Sequence, residues 1–336
     1  MFLYQKLNYK YTHIENDTEF KSLIETFNKY NPDIIVYDTE TTGLHSIKDV
    51  PFLIAVGFKG YVYTFDTRDQ YIQEFYHVAR NCRFLFAHNA KYDWHMMLNS
   101  GNEIPEDIPL ADSVALARLT QYADDLGGLT LEALGVKYVD PNAKFAGKVI
   151  KKQLAQIKSE RWNNMKMVLK LMDLPGRLKE VTDAYNKRVQ FIEHEWDELF
   201  SYMDTLYTEP NYEDCYKSNP DLMRSYAADD VVVTLEYIFK ALPVLEIVDP
   251  GLRIFTQENK LIRVVGHMER VGLKLDVPYL IESREKLYNY QQQLYKKLWA
   301  VTKIEVGSMQ HKVIKYILKT DYGIVADSVD KDHLKD

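Results

Sequence analysis

Three features of the sequence predict an α/β fold: a mixed sheet flanked by helices, with a long helical insertion and an all-helical C-terminal segment. Early in the chain lie apolar runs of strand length: Ile34-Ile35-Val36-Tyr37, Phe52-Leu53-Ile54-Ala55-Val56-Gly57-Phe58, Tyr61-Val62-Tyr63-Thr64-Phe65 and Phe84-Leu85-Phe86-Ala87. The second and third are joined by Lys59-Gly60 alone, a two-residue connection that favours an antiparallel hairpin. The runs then alternate with segments of helical period, the pattern of a sheet covered by helices.

Taken in order, residues 1–30 predict a short strand followed by a helix from Asp17 to Lys29. Phe20, Leu23, Ile24 and Phe27 form its apolar stripe. The strand from Ile34 runs into Asp38-Thr39-Glu40-Thr41-Thr42-Gly43-Leu44. Side chains alternate along a strand, so Asp38 and Glu40 leave the same face, where two like charges are costly to desolvate without a cation between them. After the hairpin, a helix over Asp69 to Arg80 leads to the strand Phe84–Ala87. That strand delivers His88-Asn89-Ala90-Lys91-Tyr92-Asp93 into a helix from Ala90 to Leu98, placing Asp93 just past a buried strand. Asp112-Ser113 reads as the N-cap of the next helix, and Leu129 to Gly135 as a short helix closed by Gly135.

The chain then changes character. Residues 144–190 hold twelve Lys or Arg against four acids, and residues 191–230 eleven acids against two bases. Two readings stand: a helical hairpin whose halves neutralise each other, or a basic flank for a nucleic-acid backbone with Lys151, Lys152, Lys158, Arg161, Lys166 and Lys170 as contacts. Tyr226-Ala227-Ala228-Asp229-Asp230 opens a helix running to Leu242. Tyr226 and Asp230, four apart, share a face, and Asp229 points elsewhere. Pro243 and Asp249-Pro250-Gly251 mark a domain boundary. Two long helices follow, Leu252–Arg270 and Pro278–Val301, then a shorter one over Ser308–Leu318.

Composition narrows the function classes. The chain has 336 residues, 46% apolar and 27% charged, a core-forming composition for two domains. The formal net charge of −7 argues against wholesale nucleic-acid binding but not against a local basic surface. Cys82 and Cys215 are far apart and form no zinc or disulfide pattern. No run is long enough to span a bilayer, so a cytoplasmic protein with no membrane partner is the expectation. Four acids in similar settings, Asp38, Glu40, Asp93 and Asp230, offer oxygen ligands without His or Cys, a set suited to Mg²⁺ or Mn²⁺.

Asp38-Thr39-Glu40-Thr41, Asn89-Ala90-Lys91-Tyr92-Asp93 and Tyr226-Ala227-Ala228-Asp229-Asp230 resemble, in order, the three motifs of the proofreading 3′–5′ exonuclease domain of family A DNA polymerases, of a phage type. The resemblance spans about residues 15–245. A second match, from Glu258 to Asp276 (notably Met268-Glu269-Arg270-Val271-Gly272-Leu273) and then Gly307-Ser308-Met309-Gln310, resembles the start of that family's polymerase region, leading into the thumb.

The resemblance implies a ribonuclease H-like fold, two bound ions and hydrolysis of DNA from a single-stranded 3′ end, releasing nucleoside 5′-monophosphates. It implies that Asp38 bridges both ions, Glu40 and Asp230 hold the ion that activates water, Asp93 supports the second, and Tyr226 positions the nucleophile. Leu44 matches a residue that wedges beside the terminal base, and Asn89 is a candidate contact to the 3′ end. It divides the chain into an exonuclease domain, 1–248, with an insertion at about 144–222, and an incomplete thumb-like segment, 249–336. No stretch resembling the polymerase metal motifs follows. The expectation is therefore no polymerase activity from this chain alone, with the palm and fingers in a longer chain or a separate subunit, and a host-cytoplasmic location if the source is a phage. The rivals are a ribonuclease D-like exoribonuclease with the same carboxylates, and an idle DNA-binding or partner-docking module.

Overall fold

The structure is a computed structural model that describes residues 1–120, 128–143, 145–171, 178–187, 197–302 and 311–325. It begins with a helical turn, α1 (Leu3–Lys6), that the sequence reading passed over, then β1 (Lys10–Ile14) and α2 (Asp17–Tyr30). Asn16 caps α2 by accepting from the Thr18 and Glu19 amides. β2 (Ile34–Thr41), β3 (Pro51–Phe58) and β4 (Tyr61–Asp66) follow, with α3 (Asp69–Ala79), β5 (Phe84–Ala87) and α4 (Ala90–Asn99) after them. A further short strand, β6 (Leu110–Asp112), precedes α5 (Ser113–Thr120). Asp112 does cap that helix, its Oδ1 accepting from the Val114 amide at 2.8 Å.

The six strands form one sheet in the order β1-β4-β3-β2-β5-β6. β2, β3 and β4 are antiparallel neighbours, while β1 runs parallel to β4, β5 to β2 and β6 to β5. The Lys59-Gly60 connection is the expected hairpin turn, with Gly60 at φ +86°.

Beyond α5 come α6 (Leu131–Leu134), capped by Thr130, and a π-helical turn (Gly135–Val139). Gly135 therefore does not close the helix: its φ is −58° and the chain winds on. Close packing accounts for the glycine, since a Cβ there would stand 2.8 Å from Ala143 Cβ and 2.9 Å from Val233 Cγ1. The insertion is helical: α7 (Phe145–Leu171), α8 (Leu178–Lys187), α9 (Asp197–Leu206) and α10 (Tyr212–Ser218). Met165, Leu169, Val181, Phe200 and Met203 give it a small core of its own, edged by Trp162.

Next is α11 (Pro220–Val248), which begins before Tyr226 and passes through Pro243 rather than stopping at Leu242. Its start is signalled by Asn219, whose side chain accepts from the Leu222 amide, and by Pro220 at the first helical position. Its extension past Pro243 is held by the burial of Ala241 and Leu245. α12 (Arg253–Val271) packs against α4, α5 and β6. The chain forms two compact units, Met1–Val271 and Gly272–Asp336, and the Asp249-Pro250-Gly251 punctuation falls inside the first. The second contains α13 (Val277–Thr302), where Asp276 accepts from the Tyr279 amide, and α14 (His311–Asp321). Gly307-Ser308-Met309-Gln310 lies outside the described residues. Among those residues, no helix is long and apolar enough to cross a membrane.

Strand alternation decides where the chemistry sits. On β2, Ile35 and Tyr37 belong to the core shared with α2 and α3, whereas Val36 belongs to the core shared with α11. Asp38 and Glu40 continue the Val36 parity, so they face the α11 side. α11 comes close to that face at Gly57, where a Cβ would be 2.8 Å from Val231 Cγ1. The same helix carries Asp230 immediately before Val231 and Tyr226 a little more than one turn earlier.

Candidate active site

At the end of β2 the pairing with β3 slips between Glu40 and Thr41, a bulge that bends the strand as it leaves the sheet. The turn beyond is braced. The Thr41 and Tyr92 hydroxyls lie 2.7 Å apart and both approach the Gly43 carbonyl, and Asp49 accepts from Thr42 Oγ1 at 2.9 Å and the His45 amide at 2.7 Å. Beside this turn opens a cleft of about 450 Å³. β2 and its turn supply Asp38, Thr39, Glu40, Thr41, Gly43 and Leu44; the start of α4 supplies Tyr92 and Asp93; α11 supplies Tyr226 and Asp230.

Carboxylate oxygens of Asp38, Glu40 and Asp230 lie within 4.8 Å of one another. Glu40 is 4% exposed, and its Oε1 has no hydrogen-bond partner among the described residues. Burial and then the Asp38, Asp230 and Asp93 charges push its carboxyl well above the ordinary range. Asp230 is raised by burial and by Asp38, and the neighbouring Tyr226 side chain opposes the rise. Asp38 is pushed up to about 6 by burial, against the Thr39 amide, which holds it down. A desolvated cluster of this kind is unfavourable when ionised unless positive charge enters it. The donor set and the orphaned Glu40 oxygen thus fit a hard divalent cation.

Asp93 stands apart from the three. It is 2% exposed, and its Oδ1 accepts from the Thr39 amide at 3.0 Å and Thr39 Oγ1 at 2.7 Å. Those bonds anchor α4 to β2 and leave the other carboxylate oxygen as the group's remaining ligand atom. Asp229, as its place on the helix requires, turns away: it accepts from the Tyr4 amide at 2.9 Å and ties α1 to α11.

The remaining sequence candidates fall in different places. Leu44 is 90% exposed at the rim of the cleft. Asn89 sits exposed before α4 in the left-handed region, φ 66°, and its amide donates to Asp112 Oδ1; it is not among the residues lining the cleft. Lys151 lies on α7, 3.3 Å from Glu132, and Lys152 is exposed beside it; neither lines the cleft. Of the other basic candidates, Lys158 pairs with Glu209 and Arg161 with Asp214, each at 2.5 Å, so part of the charge contrast is spent within the insertion.

Five lining residues escaped the sequence reading: His88, Leu154, Pro210, Asn211 and Tyr212. His88 donates to or accepts from Ser113 Oγ at 2.8 Å, and burial lowers its pKa to about 4, which keeps it neutral. The other four come from the insertion, where no motif marks them; the one readable signal is the capping box of Asn211 and Asp214 that starts α10.

Residues 11–164 match a family described as 3′–5′ exonuclease. The chain carries a 3′–5′ exonuclease domain. The matched stretch contains Asp38, Glu40 and Asp93 but ends before Tyr226 and Asp230, which the fold brings to the same cleft. Among solved structures, the POL domain of Pol1 from M. smegmatis, in complex with DNA primer-template and dNTP, is 11% identical over 96% of this chain and 44% of that one, with a TM-score of 0.53. Escherichia coli RNase D is 16% identical over 77% of this chain and 51% of that one, TM-score 0.42. Brucella melitensis NrnC with bound Mg²⁺ is 14% identical over 80% and 95%, TM-score 0.42. The chain spans about half the length of the first two. No curated protein matches it. The fold is the expected α/β one: a mixed six-stranded sheet among the described residues, with helices packed on both faces.

Proposed function

We propose that the exonuclease domain acts on single-stranded DNA 3′ ends, with two bound Mg²⁺ or Mn²⁺ ions, as the proofreading partner of a family A polymerase. The observation that carries this reading is the convergence of Asp38, Glu40 and Asp230 in a cleft whose neighbouring tyrosine is one helical turn from Asp230. The DNA preference rests on the likeness of Met268–Leu273 to the start of a polymerase region, supported by a shared fold that extends over 96% of the chain in the Pol1 comparison. On this reading the helices after Val271 lead toward a palm and fingers, in a longer chain or a separate subunit.

The reaction is hydrolysis. Water attacks the terminal phosphorus, the P–O3′ bond breaks, and a nucleoside 5′-monophosphate leaves behind a new 3′-hydroxyl. Asp38, Glu40 and Asp230 would hold one cation, and Asp38 with Asp93 a second. Divalent ions there neutralise phosphate charge and make the attacking water more acidic. Tyr226, beside Asp230 on the same face of α11, orients the water. Its own hydroxyl stays protonated, because the Asp230 charge, burial and the Glu40 charge raise it well above the usual tyrosine range. Leu44 meets the terminal base from the rim, and Thr39 keeps Asp93 from swinging out of the site.

The test is digestion of 5′-labelled DNA and matched RNA oligonucleotides, with Mg²⁺ and with EDTA. The expected result is a ladder shortening from the 3′ end of the DNA in Mg²⁺ only. Faster loss of the RNA would replace the proofreading reading with an exoribonuclease. Tyr226→Phe keeps the ring and removes the hydroxyl; turnover should fall about tenfold or more with binding unchanged. Weakened binding at full turnover would take the water-orienting role from Tyr226. Charge reversal of Lys151 and Lys152 to Glu should weaken single-stranded DNA binding and flatten its salt slope by about 1.4, at about 0.7 per phosphate contact. An unchanged slope would leave these lysines to pairing within the protein.

A further inference from the structure

Of the four insertion residues that line the cleft, Leu154, Pro210, Asn211 and Tyr212, one is aromatic. Tyr212, the first residue of α10, sets its ring edge-on to that of Tyr226, with centroids 6.0 Å apart and planes at 88°. Edge-to-face pairs of this separation are attractive and orientation-specific, beyond the area they bury. The ring lines the same cleft as the three converging carboxylates. Its phenol is pushed up to about 12 by burial, Glu40 and Asp230, so it stands neutral beside the acids.

The carrier of this ring is unusually well fixed. Asn211 and Asp214 form a reciprocal capping box around the first turn of α10. Arg161, on α7, clamps the same turn: it donates to Asp214 Oδ1 at 2.5 Å and to the Thr208 carbonyl at 3.2 Å. A basic residue that sequence alone offered as a phosphate contact is instead part of the support for an active-site wall. The Arg161 pair is only partly exposed, which makes it stronger than a surface ion pair.

We propose that Tyr212 is a positioning residue: the insertion exists on this domain to hold its ring against Tyr226, fixing the rotamer from which the Tyr226 hydroxyl serves the reaction. The inference rests on the exonuclease reading of the cleft. It gives the insertion a task inside the site rather than along a DNA track.

A double-mutant cycle tests it. Single-turnover digestion of a single-stranded oligonucleotide is measured for wild type, Tyr212→Leu, Tyr212→Phe, Tyr226→Phe and Tyr212→Leu/Tyr226→Phe. Binding is read in EDTA by fluorescence anisotropy and folding by thermal melting. Tyr212→Leu should lower the rate about tenfold with binding within twofold of wild type, and Tyr212→Phe, which keeps the edge contact, should recover most of it. In the Tyr226→Phe background, Tyr212→Leu should cost nothing further, because the hydroxyl it positions is gone. Arg161→Gln, which loosens the carrier from outside the cleft, gives a route that does not depend on the fold tolerating a buried change. It should lower the rate severalfold in wild type and not in Tyr226→Phe. Additive losses, or losses that appear in binding instead of rate, would overturn the role of Tyr212 while leaving the exonuclease intact. A wild-type chain that digests nothing in Mg²⁺ or Mn²⁺ would overturn the exonuclease reading and this inference with it.

Discussion

Asp230→Asn is expected to reduce single-turnover digestion by about 10³-fold or more while making the metal-free protein more stable. The two effects share one cause. Asp38, Glu40 and Asp230 present oxygens within 4.8 Å of one another in a desolvated cleft, an arrangement that serves cation binding and opposes folding. Removing one charge relieves the repulsion and burial cost of the other two, by about 1 kcal/mol, in the manner of other sites that trade stability for function. It also removes a candidate ligand and the charge beside Tyr226, and a 10³-fold loss corresponds to about 4 kcal/mol of transition-state stabilisation. Melting curves in EDTA and a 5′-labelled single strand in Mg²⁺ read both. Retained digestion would remove Asp230 from the chemistry. A lowered melting temperature in EDTA would show that the carboxylate has a structural partner instead.

Much of this site is legible because it is built on strict periods. On β2, the alternation of Val36, Asp38 and Glu40 against Ile35 and Tyr37 assigns the two acids to one face before any packing is known, and the structure puts Val36 and Tyr37 in opposite cores. On α11, the four-residue spacing of Tyr226 and Asp230 puts them on one face and sends Asp229 to the α1 amide. What was missed falls into two kinds. Some signals were present but outweighed: Asn219-Pro220 is a helix start, and Gly135 and Pro243 read as ends only because packing against Val233 and the burial of Leu245 were not visible.

Other features have no local signal at all. Tyr212 reaches Tyr226 because a separate helical core, pinned by Arg161 to Asp214, places it there. Gly266 of α12 fits against the fully buried Trp94 so closely that a Cβ would be 2.5 Å from the ring, a contact between residues far apart in sequence. α12 also sends Glu269 to His95 at 2.9 Å and to Lys91, so the helix after the punctuation belongs with the exonuclease unit. Charge, likewise, does not announce its partner: the basic run of α7 is as consistent with nearby acids as with phosphates, and, among the described residues, the pairs at Glu132, Glu209 and Asp214 show how part of it is used.

The carboxylate cluster of the metal-free protein should contribute less stability as pH rises from about 4 to about 7, and Mg²⁺ should reverse that contribution. The folded Asp38 carboxyl stands at about 6 against an ordinary value of 3.8, and Glu40, Asp93 and Asp230 are raised in the same direction, burial being the first cause for each. Between those limits the folded protein keeps protons that the unfolded chain has released. The protonated cluster therefore contributes its full stability below about pH 4, and that contribution drains away as pH passes through the folded values. At about 1.4 kcal/mol per unit, Asp38 alone accounts for about 2–3 kcal/mol.

Buried histidines run against the trend: burial lowers His13, His88 and His95, so their contribution to stability grows as pH rises toward 6.5, and the cluster is read as the difference between wild type and Asp230→Asn, which share them. Carboxylates held low do not mask that difference. Lys6 holds Asp140 low, and Lys91 and His95 hold Glu269 low. Stability from such groups is present above the unfolded pKa and lost only as pH falls through still lower folded values. Across pH 4.5–8 in EDTA, the melting temperature of wild type should thus decline relative to that of Asp230→Asn, and parallel curves would sink the assignment. Cation binding needs the ionised ligands, so its stabilisation grows with pH, reaching about 2.7 kcal/mol at a hundredfold excess over Kd. The same carboxylates that weaken the empty cleft at neutral pH would then hold it together: Asp38 and Glu40 on β2 and Asp230 on α11 would share a cation instead of repelling one another.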